Sequence, residues 1–307
     1  MIAYHTSVLV IGNRKAKGNG AMVQQEGKLA VVTGGGSGIG RALAHLLVGG
    51  GWQVAIGDRD EDGMKDTVRT CPTPNSSDRM STHRVDVASE ADFLRFRDEV
   101  SRHHKKDCIQ LLINNAGILG GNTFIAGDRA EWEHVFGVNW GGVYLGTRTF
   151  LPLLLAADAG HIVNISSVCG FWASVGPDAV SSAYSTAKFA IKGFTESLIW
   201  DLRMHAPHVG CSVVMPGHIG TAILRNSHGT GADIMERDSS FRSTAPTNAD
   251  EAARIIMQGV EQKRWRILVG NDAVDLDARV RADPENAYER SFFQAWTGDN
   301  PYPGMIR

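Results

Sequence analysis

The chain has 307 residues, which is the length of one large domain or of two small ones. Its 31 Lys and Arg residues nearly balance its 33 Asp and Glu residues, and a formal charge of −2 gives no basic field to attract a nucleic acid. Hydrophobic residues make up 43% of the chain, too many for a disordered protein, and no apolar run approaches the roughly 18 residues that a membrane span needs.

Residues 1–26 differ in composition from the rest of the chain. They contain one short apolar run, Ser7–Gly12, followed by a basic stretch. A secretory signal places its positive charge before the apolar stretch, so we expect a cytoplasmic protein. We interpret the segment as a poorly ordered extension, or as the result of a start codon placed too early with Met22 as the alternative start, rather than as a functional arm.

Short apolar strands alternate with helical patterns over residues 27–270. The predicted strands are Leu29–Thr33, Gln53–Gly57, Ser81–Val87, Ile109–Ile113, His161–Ile165, Cys211–Met215 and Arg266–Val269. The predicted helices are Arg41–Val48, Glu90–His103, Trp132–Leu155 and Tyr184–Met204. This alternation predicts right-handed crossovers and one α/β domain, a doubly wound parallel sheet of about seven strands with helices on both faces.

The segment 271–307 follows this domain and is acidic before it becomes rich in arginine and aromatic residues. We interpret it either as a tail that packs on a neighbouring subunit or as a poorly ordered end. The expected organisation is therefore an extension (1–26), a domain (27–270) and a tail (271–307).

The first predicted strand runs into a glycine cluster, Thr33–Gly40. A glycine loop between a strand and a helix can turn tightly and approach a pyrophosphate, whose charge then lies at the helix N-terminus. The alternative is a glycine-rich turn that binds no ligand. The candidate cofactor-binding residues in this loop are Gly34, Ser37, Gly38, Ile39 and Gly40.

Asp58 ends the second predicted strand, 18 residues beyond Gly40. A carboxylate roughly 20 residues after the glycine loop can bind the ribose 2′-hydroxyl of NAD and repels the 2′-phosphate of NADP. Arg59 could instead pair with that phosphate, whereas Ser37, where a basic residue would favour NADP, is neutral. We predict NAD, with NADP as the alternative. Asp58 could also be only a helix N-cap or a surface turn residue.

Tyr184 and Lys188 are four residues apart in a predicted helix, so their side chains share a face. Tyrosine is a poor base at neutral pH because its pKa is about 10. A cation about 4 Å away contributes about 4 kcal/mol at an effective dielectric constant of about 20, or roughly three pKa units. We therefore expect Lys188 to lower the pKa of Tyr184 and make it an acid–base catalyst.

These features together resemble the short-chain dehydrogenase/reductase family over about residues 27–270. The motifs that carry the resemblance are TGGGSGIG at 33–40, Asp86, NNAG at 114–117, Asn139, Ser167 after the strand His161–Ile165, YxxxK at 184–188, and Pro216-Gly217 with Thr221. The resemblance implies a Rossmann-like fold and an enzyme that interconverts a secondary alcohol and a ketone with NAD or NADP. A homo-oligomer, a dimer or a tetramer, is also expected, since the two longest predicted helices would present apolar faces outward.

The resemblance also implies catalytic roles for four residues. Tyr184 would exchange a proton with the substrate oxygen, and Ser167 would orient that oxygen. Lys188 would lower the pKa of Tyr184 and bind the nicotinamide ribose, and Asn139 would hold a water in a proton relay. Two alternatives stay open: Asn139 could only cap or kink a helix, and Ser166 could be the catalytic hydroxyl.

Further cofactor contacts follow from the same resemblance. Asp86 and Val87 would contact the adenine, and Asn115 and Gly117 would line the adenosine side, with Asn115 also tying strands together. The residues expected around the nicotinamide are Pro216, Gly217, Ile219 and Thr221. Tyr184 and Lys188 would contact the cofactor as well.

The chain departs from the family pattern in the long spacing from Ser167 to Tyr184. Phe171 and Trp172, in this insertion, could form a substrate wall, although ordinary packing is the expectation we favour. The polar segment 222–245 resembles the mobile substrate loop of the family. The histidines and the four cysteines have no metal-ligand spacing, so we expect no metal, and His218 is of interest only because it lies beside the expected nicotinamide pocket.

The leading prediction is an NAD-dependent oxidoreductase that acts on a small alcohol or ketone. The alternatives are an NADPH-dependent ketone reductase and, from another class of protein, a non-catalytic dinucleotide sensor. A sensor needs the glycine loop but has no use for the combination of Ser167, Tyr184 and Lys188.

Overall fold

The computed structural model describes residues 27–120, 123–173, 181–228 and 231–297. Its strands are β1 (Leu29–Thr33), β2 (Gln53–Asp58), β3 (Met80–Arg84), β4 (Leu111–Asn114), β5 (Gly160–Ile165), β6 (Val209–Pro216), β7 (Ile219–Gly220), β8 (Thr247–Asn248) and β9 (Arg266–Val269). Seven of them form one parallel sheet in the order β3-β2-β1-β4-β5-β6-β9, and β7 pairs with β8. The expected doubly wound parallel sheet is confirmed.

The described residues also form α1 (Gly38–Gly49), α2 (Glu61–Arg69), α3 (Glu90–His104), α4 (Arg129–Phe136), α5 (Gly142–Leu155), α6 (Ser182–His205), α7 (Ile223–His228), α8 (Ala232–Thr244), α9 (Ala249–Glu261), α10 (Asn271–Ala282) and α11 (Arg290–Thr297). No helix among these residues is long and apolar enough to cross a membrane.

The sheet separates two apolar cores. Successive residues of β1 point to opposite faces, so Ala30 and Val32 join one core while Leu29 and Val31 join the other. Helices α1, α2 and α9 cover the first face, and α3, α5 and α6 cover the second. Because both faces are covered, all five residues of β1 are buried, which explains its continuous apolar run.

The structure corrects two of the predicted boundaries. The third strand ends at Arg84 and not at Val87, because the Asp86 carboxylate accepts a hydrogen bond from Ala88 N at 2.9 Å and turns the chain. The single helix predicted over Trp132–Leu155 is two helices, α4 and α5, joined by the π-helical turn Gly137–Gly141. Periodicity alone does not reveal this turn, since it changes the helix by a single register step.

The segment 222–245 is also more regular than expected. We predicted an irregular loop, but most of it forms α7 and α8. The apolar residues of α8 follow no single helical stripe, so its sequence gives little periodic signal. Helices α2 and α9 were not predicted either, although buried Ala252, Ala253, Ile256 and Met257 give α9 a clear helical pattern.

The part of the 271–307 segment that the structure describes packs on its own domain. Helices α10 and α11 enclose Trp172, whose ring centroid lies 6.4 Å from that of Phe293 and 5.6 Å from that of Trp296. The Trp172 indole N–H donates to the carbonyl of Ala287 at 2.7 Å. Over residues 271–297 the segment therefore contacts its own domain. Residues 1–26 and 298–307 lie outside the described residues.

Candidate active site

A cavity of about 660 Å³ opens at the carboxyl ends of the parallel strands, above the point where β1 and β4 lie side by side. The strand order reverses direction at this point, and open α/β sheets bind their ligands in the crevice that such a reversal creates. The predicted residues that line the cavity are Gly34, Ser37, Gly38, Ile39, Asp58, Arg59, Asp86, Val87, Asn115, Gly117, Ser167, Tyr184, Lys188, Pro216, Gly217, Ile219 and Thr221. Two predicted residues, Gly40 and Asn139, are not in its lining.

The glycine loop between β1 and α1 needs its glycines for two reasons. Gly34 (φ +69°) and Gly38 (φ +52°) adopt left-handed backbone conformations, in which a residue with a side chain would be strained. Gly40 serves packing instead, because a Cβ there would collide with the Gly34 carbonyl oxygen. The N-terminal residues of α1, Gly38 and Ile39, line the cavity, so the positive end of the helix faces it.

Asp58 and Arg59 lie at the same end of the cavity as the glycine loop. The Asp58 carboxylate accepts hydrogen bonds from Gly36 N at 2.9 Å and Asp60 N at 3.1 Å, which fix its position. The exposed Arg59 guanidinium donates to the carbonyl of Asn226 at 3.4 Å. The Ser37 hydroxyl accepts from Asn226 Nδ2 at 2.9 Å. Asn226 in α7 therefore bridges this end of the cavity.

Asn115 holds the glycine loop against the end of β4. Its Nδ2 donates to the carbonyls of Thr33 at 2.9 Å and Gly34 at 3.2 Å. The structural part of its expected role, tying two strands together, is therefore visible in the structure. A loop held in this way, a helix N-terminus and a carboxylate beyond it are features that fit a dinucleotide.

The other end of the cavity holds the candidate catalytic side chains. Tyr184 and Lys188 lie one turn apart in α6 and are only 9% and 3% exposed. The Lys188 ammonium donates to the carbonyl of Ile165 at 3.1 Å and lies 5.2 Å from the centroid of the Tyr184 ring. Ser167 follows β5, and its side chain lies close enough to that of Tyr184 to affect the tyrosine's pKa.

The pKa values of Tyr184 and Lys188 shift in other directions than the four-residue spacing predicts. Burial raises the pKa of Tyr184 above its usual value of 10.0, the Cys169 thiol adds to the rise, and the hydrogen bond with Ser167 opposes it. Burial also lowers the pKa of Lys188 to about 8. The expectation that Lys188 lowers the pKa of Tyr184 is not met, because the ammonium faces the ring and the Ile165 carbonyl while burial disfavours the phenolate.

The hydroxyls of Ser166 and Ser167 have different partners, which distinguishes the two candidates for the catalytic hydroxyl. The Ser166 hydroxyl donates to the Lys188 carbonyl at 2.8 Å and so holds α6 against β5. The Ser167 hydroxyl faces Tyr184 and accepts from Cys169 N at 3.2 Å. This geometry favours Ser167 as the hydroxyl available to a ligand.

Asn139 lies in the π-helical turn behind Gly117 and is fully buried. Its Nδ2 donates to the carbonyls of Ile118 at 2.9 Å and Val135 at 2.8 Å. Its Oδ1 has no hydrogen-bond partner among the described residues. A Cβ on Gly117 would lie 2.6 Å from Oδ1 and 3.5 Å from Lys188 Nζ, so both polar atoms face this glycine. The π-helical turn thus places the Asn139 carbonyl oxygen beside Gly117, the glycine that Lys188 Nζ also approaches.

Several lining residues carry no motif and could not be identified from the sequence. They are Cys169 beside Ser167, Ile234, Arg237 and Phe241 in α8, Leu276 in α10 and Trp296 in α11. Trp172, for which we favoured ordinary packing, is buried and also lines the cavity. His218 packs its ring against Phe241 at 4.2 Å and bonds the Phe241 carbonyl at 2.7 Å, so it connects α8 to the end of β6.

The part of the chain that the structure describes has no group of three His, Cys, Asp or Glu side chains that could hold a metal ion. The four cysteines are free. The polar side chains that line the cavity include the hydroxyls of Ser167 and Tyr184, the Lys188 ammonium, and the carboxylates and guanidinium groups of Asp58, Asp86, Arg59 and Arg237.

Comparisons with known proteins agree with this geometry. The family model for short chain dehydrogenases matches residues 28–230. SadH of Mycobacterium tuberculosis, a proposed oxidoreductase, is 36% identical over 269 residues, which are 86% of this chain and 94% of SadH. A Burkholderia phymatum short-chain dehydrogenase/reductase solved with NAD has a TM-score of 0.74 and 30% identity, over 86% of this chain and 95% of its own.

A metagenomic short-chain oxidoreductase solved with NADP has a TM-score of 0.62 and 27% identity, and the match covers 80% of this chain and 97% of that one. The similar structures thus include complexes with both dinucleotides. The sheet order, the glycine loop and the matches over most of the chain lead to one assignment. The chain belongs to the short-chain dehydrogenase/reductase family of NAD(P)-dependent oxidoreductases, enzymes that act on CH–OH groups.

Proposed function

We propose that the protein is an NAD-dependent dehydrogenase that interconverts a secondary alcohol and a ketone, with Tyr184 as the acid–base group. The observation that carries this proposal is that Ser167, Tyr184 and Lys188 lie together in the wall of a cavity that also reaches the glycine loop and Asp58. When bound, the dinucleotide supplies the carbon that takes up or releases the hydride.

Ser167 and Tyr184 can present two hydroxyls to one substrate oxygen. During oxidation the alcohol oxygen gives its proton to Tyr184 as the carbon loses its hydride, and a carbonyl forms; Ser167 orients the oxygen by a hydrogen bond. Tyr184 can accept this proton only as the phenolate, after its own proton has left to solvent. Because burial disfavours the phenolate, a cation must approach the Tyr184 oxygen for that form to exist. Lys188 is the group with that reach, since its ammonium already lies over the Tyr184 ring.

The proton then needs a route to solvent. We propose that Lys188, with its pKa near 8, passes it to a water held by Asn139. The buried Oδ1 of Asn139 faces Gly117 without a partner among the described residues, so it can accept a hydrogen bond from such a water.

The choice of NAD over NADP rests on Asp58. Two backbone N–H groups hold its carboxylate in the cavity wall, where it would bind a ribose hydroxyl and repel a phosphate. An NADPH-dependent ketone reductase is the second candidate, because Arg59 lines the same end of the cavity. The other proposed dinucleotide contacts are those named from the sequence, with Asp86 and Val87 on the adenine side and Pro216 to Thr221 around the nicotinamide.

We also propose a cytoplasmic homo-oligomer. The free state of all four cysteines is typical of a reducing compartment. Large apolar side chains on α5 and α6 are exposed, among them Trp200 at 64% and Met204 at 70%, and a second subunit would cover them.

The function is tested by Tyr184→Phe, with the exposed Tyr144→Phe in α5 as the matched control. We expect Tyr184→Phe to lower the rate of NADH formation from secondary alcohols by at least about 100-fold, because the proton acceptor is lost. NAD binding, measured by calorimetry, should persist, and Tyr144→Phe should behave as wild type. Near-normal turnover by Tyr184→Phe would refute the mechanism, and NAD binding by the wild type without turnover of any alcohol would favour a sensor.

A further inference from the structure

The end of the cavity beyond Ser167 and Tyr184 has a largely apolar wall. Its aromatic and aliphatic members are Trp172, Ile234, Phe241, Leu276 and Trp296. They come from four parts of the chain: the segment after β5, α8, α10 and α11. Arg237 is the exception, a half-buried guanidinium within this apolar surface.

Arg237 has no ion pair in the part of the chain that the structure describes. Its neighbour Asp238 is buried and used elsewhere, because it pairs with Arg242 at 3.5 Å and accepts from Arg225 N at 3.4 Å. The carboxylates in the cavity lining, Asp58 and Asp86, follow β2 and β3 and therefore lie toward the glycine-loop end. Arg237 is thus a partly buried cation with no carboxylate partner among the described residues.

We propose that Arg237 binds an anionic group of the substrate, so that the preferred substrate is a secondary alcohol or ketone with an apolar body and a carboxylate. Arginine binds carboxylates through two parallel N–H···O bonds, which are strong where water is partly excluded. The aromatic side chains beside it would hold the apolar body. This inference rests on the proposed function, since it names the substrate class of the same site.

The position of Arg237 in α8 favours a substrate group over a phosphate of the dinucleotide. Arg237 and Phe241 are four residues apart and share a helix face. Phe241 packs on His218, which lies two residues beyond the end of β6, the strand next to β5 and Ser167. The glycine loop and the N-terminus of α1, which can hold phosphates, follow β1, three positions away from β6 in the sheet.

The test compares carboxylates with their neutral methyl esters. Aliphatic and aryl acids of four to nine carbons, including 3-phenylpropanoate, are titrated with their esters by calorimetry into wild type saturated with NAD. We expect at least one acid to bind about ten-fold or more tightly than its ester, which is the effect of one charge-assisted pair. Arg237→Met should abolish that difference and Arg237→Lys should retain part of it. Arg254→Met, an exposed change in α9, should leave it intact.

The affinity for NAD is measured on the same variants. If no acid binds better than its ester, or if Arg237→Met weakens NAD instead of the acid, the inference is wrong, and in the latter case Arg237 binds a cofactor phosphate. The proposed function is judged separately, by NADH formation from the matching 3-hydroxy acids and esters. Turnover without preference for the acids would refute only the role of Arg237, whereas an acid preference in binding without any turnover would refute only the dehydrogenase activity.

Discussion

At the scale of single residues, the candidate site is held by the backbone more than by pairs of side chains. Asp58 is fixed by the N–H groups of Gly36 and Asp60, and Lys188 by the carbonyl of Ile165. These backbone groups belong to the glycine loop, the turn before α2 and strand β5, so the side chains are positioned before any ligand arrives. A substitution can therefore remove the charge of Asp58 or Lys188 without moving the side chain.

Asp58→Asn removes the charge and keeps an oxygen that can accept from Gly36 N. We expect the ratio of kcat/KM for NAD to kcat/KM for NADP to fall by about ten-fold, because the repulsion of a 2′-phosphate is lost. Steady-state kinetics with both dinucleotides measure the ratio, and the exposed Asp201→Asn in α6 serves as the control. An unchanged ratio would show that another residue discriminates between the dinucleotides.

His161 makes stability depend on pH. Burial and the charge of Lys263 lower its pKa from 6.5 to about 4, and its Nε2 bonds the Ser212 hydroxyl at 2.7 Å. The unfolded chain therefore binds more protons between these values, so the stabilisation is complete above pH 6.5 and is lost as the pH falls toward about 4. His104, whose pKa is also lowered to about 4, contributes in the same direction.

His161→Gln keeps a side-chain N–H that can reach Ser212 but cannot be protonated. Urea unfolding at pH 7 and pH 5 should show a smaller loss of unfolding free energy for this variant than for wild type. The exposed His205→Gln should lose as much as wild type does. Equal losses in wild type and His161→Gln would show that His161 does not titrate in this way.

At the scale of elements, the short helix α7 connects the two sides of the cavity. Asn226 contacts Ser37 and Arg59 on the glycine-loop side, and Ser227 accepts a hydrogen bond from Leu119 N at 2.8 Å. A dinucleotide bound along the glycine loop would therefore lie beneath α7. The contacts are few and partly exposed, so they can open without unfolding the domain.

Asn226→Ala removes the side-chain contact with Ser37 and leaves the fold intact. We expect the Kd for NAD to rise by about two- to ten-fold, the effect of one hydrogen bond, mainly through faster dissociation. Stopped-flow fluorescence of NADH release measures this rate, with Ser243→Ala at the exposed end of α8 as the control. An unchanged release rate would show that α7 does not retain the cofactor.

At the scale of the whole molecule, the cavity is completed by the end of the chain. Leu276 and Trp296 contribute to its wall, and both belong to helices beyond the domain boundary expected at residue 270. Trp172 joins this end to the segment after β5 through its ring contacts and its bond to Ala287. We propose that the functional unit extends at least to α11, because without it the substrate end of the cavity would be open.

Trp172→Ala tests how much this packing stabilises the protein. Trp172 is 2% exposed, so its loss leaves a cavity, and we expect a decrease of about 3–5 kcal/mol in the unfolding free energy. The control Trp265→Ala removes the same side chain from a site before β9 that is 42% exposed, outside the surface of α5 and α6, and should cost less. Denaturant unfolding measures both variants, and similar losses would argue against a packed C-terminal segment.

The sequence alone determined the sheet and most of the candidate site. Apolar strands buried on both faces, the glycine loop after β1 and the four-residue spacing of Tyr184 and Lys188 are local patterns, and local patterns can be read directly. Parallel strands also carry the residues that follow them to one edge of the sheet, so motifs far apart in the chain could be expected to meet.

Only the tertiary structure decided that the Lys188 ammonium donates to Ile165, that the Ser166 hydroxyl donates to α6, and that a π-helical turn places the Asn139 side chain beside Gly117. It also placed Arg237, Leu276 and Trp296 around one cavity, although none of them belongs to a motif. The physical reason is that charge states and pocket walls depend on burial and on contacts between distant segments. Helices such as α8 and α10 gain their stability from those contacts. Their own sequences therefore carry little signal that predicts a helix or its place in the cavity wall.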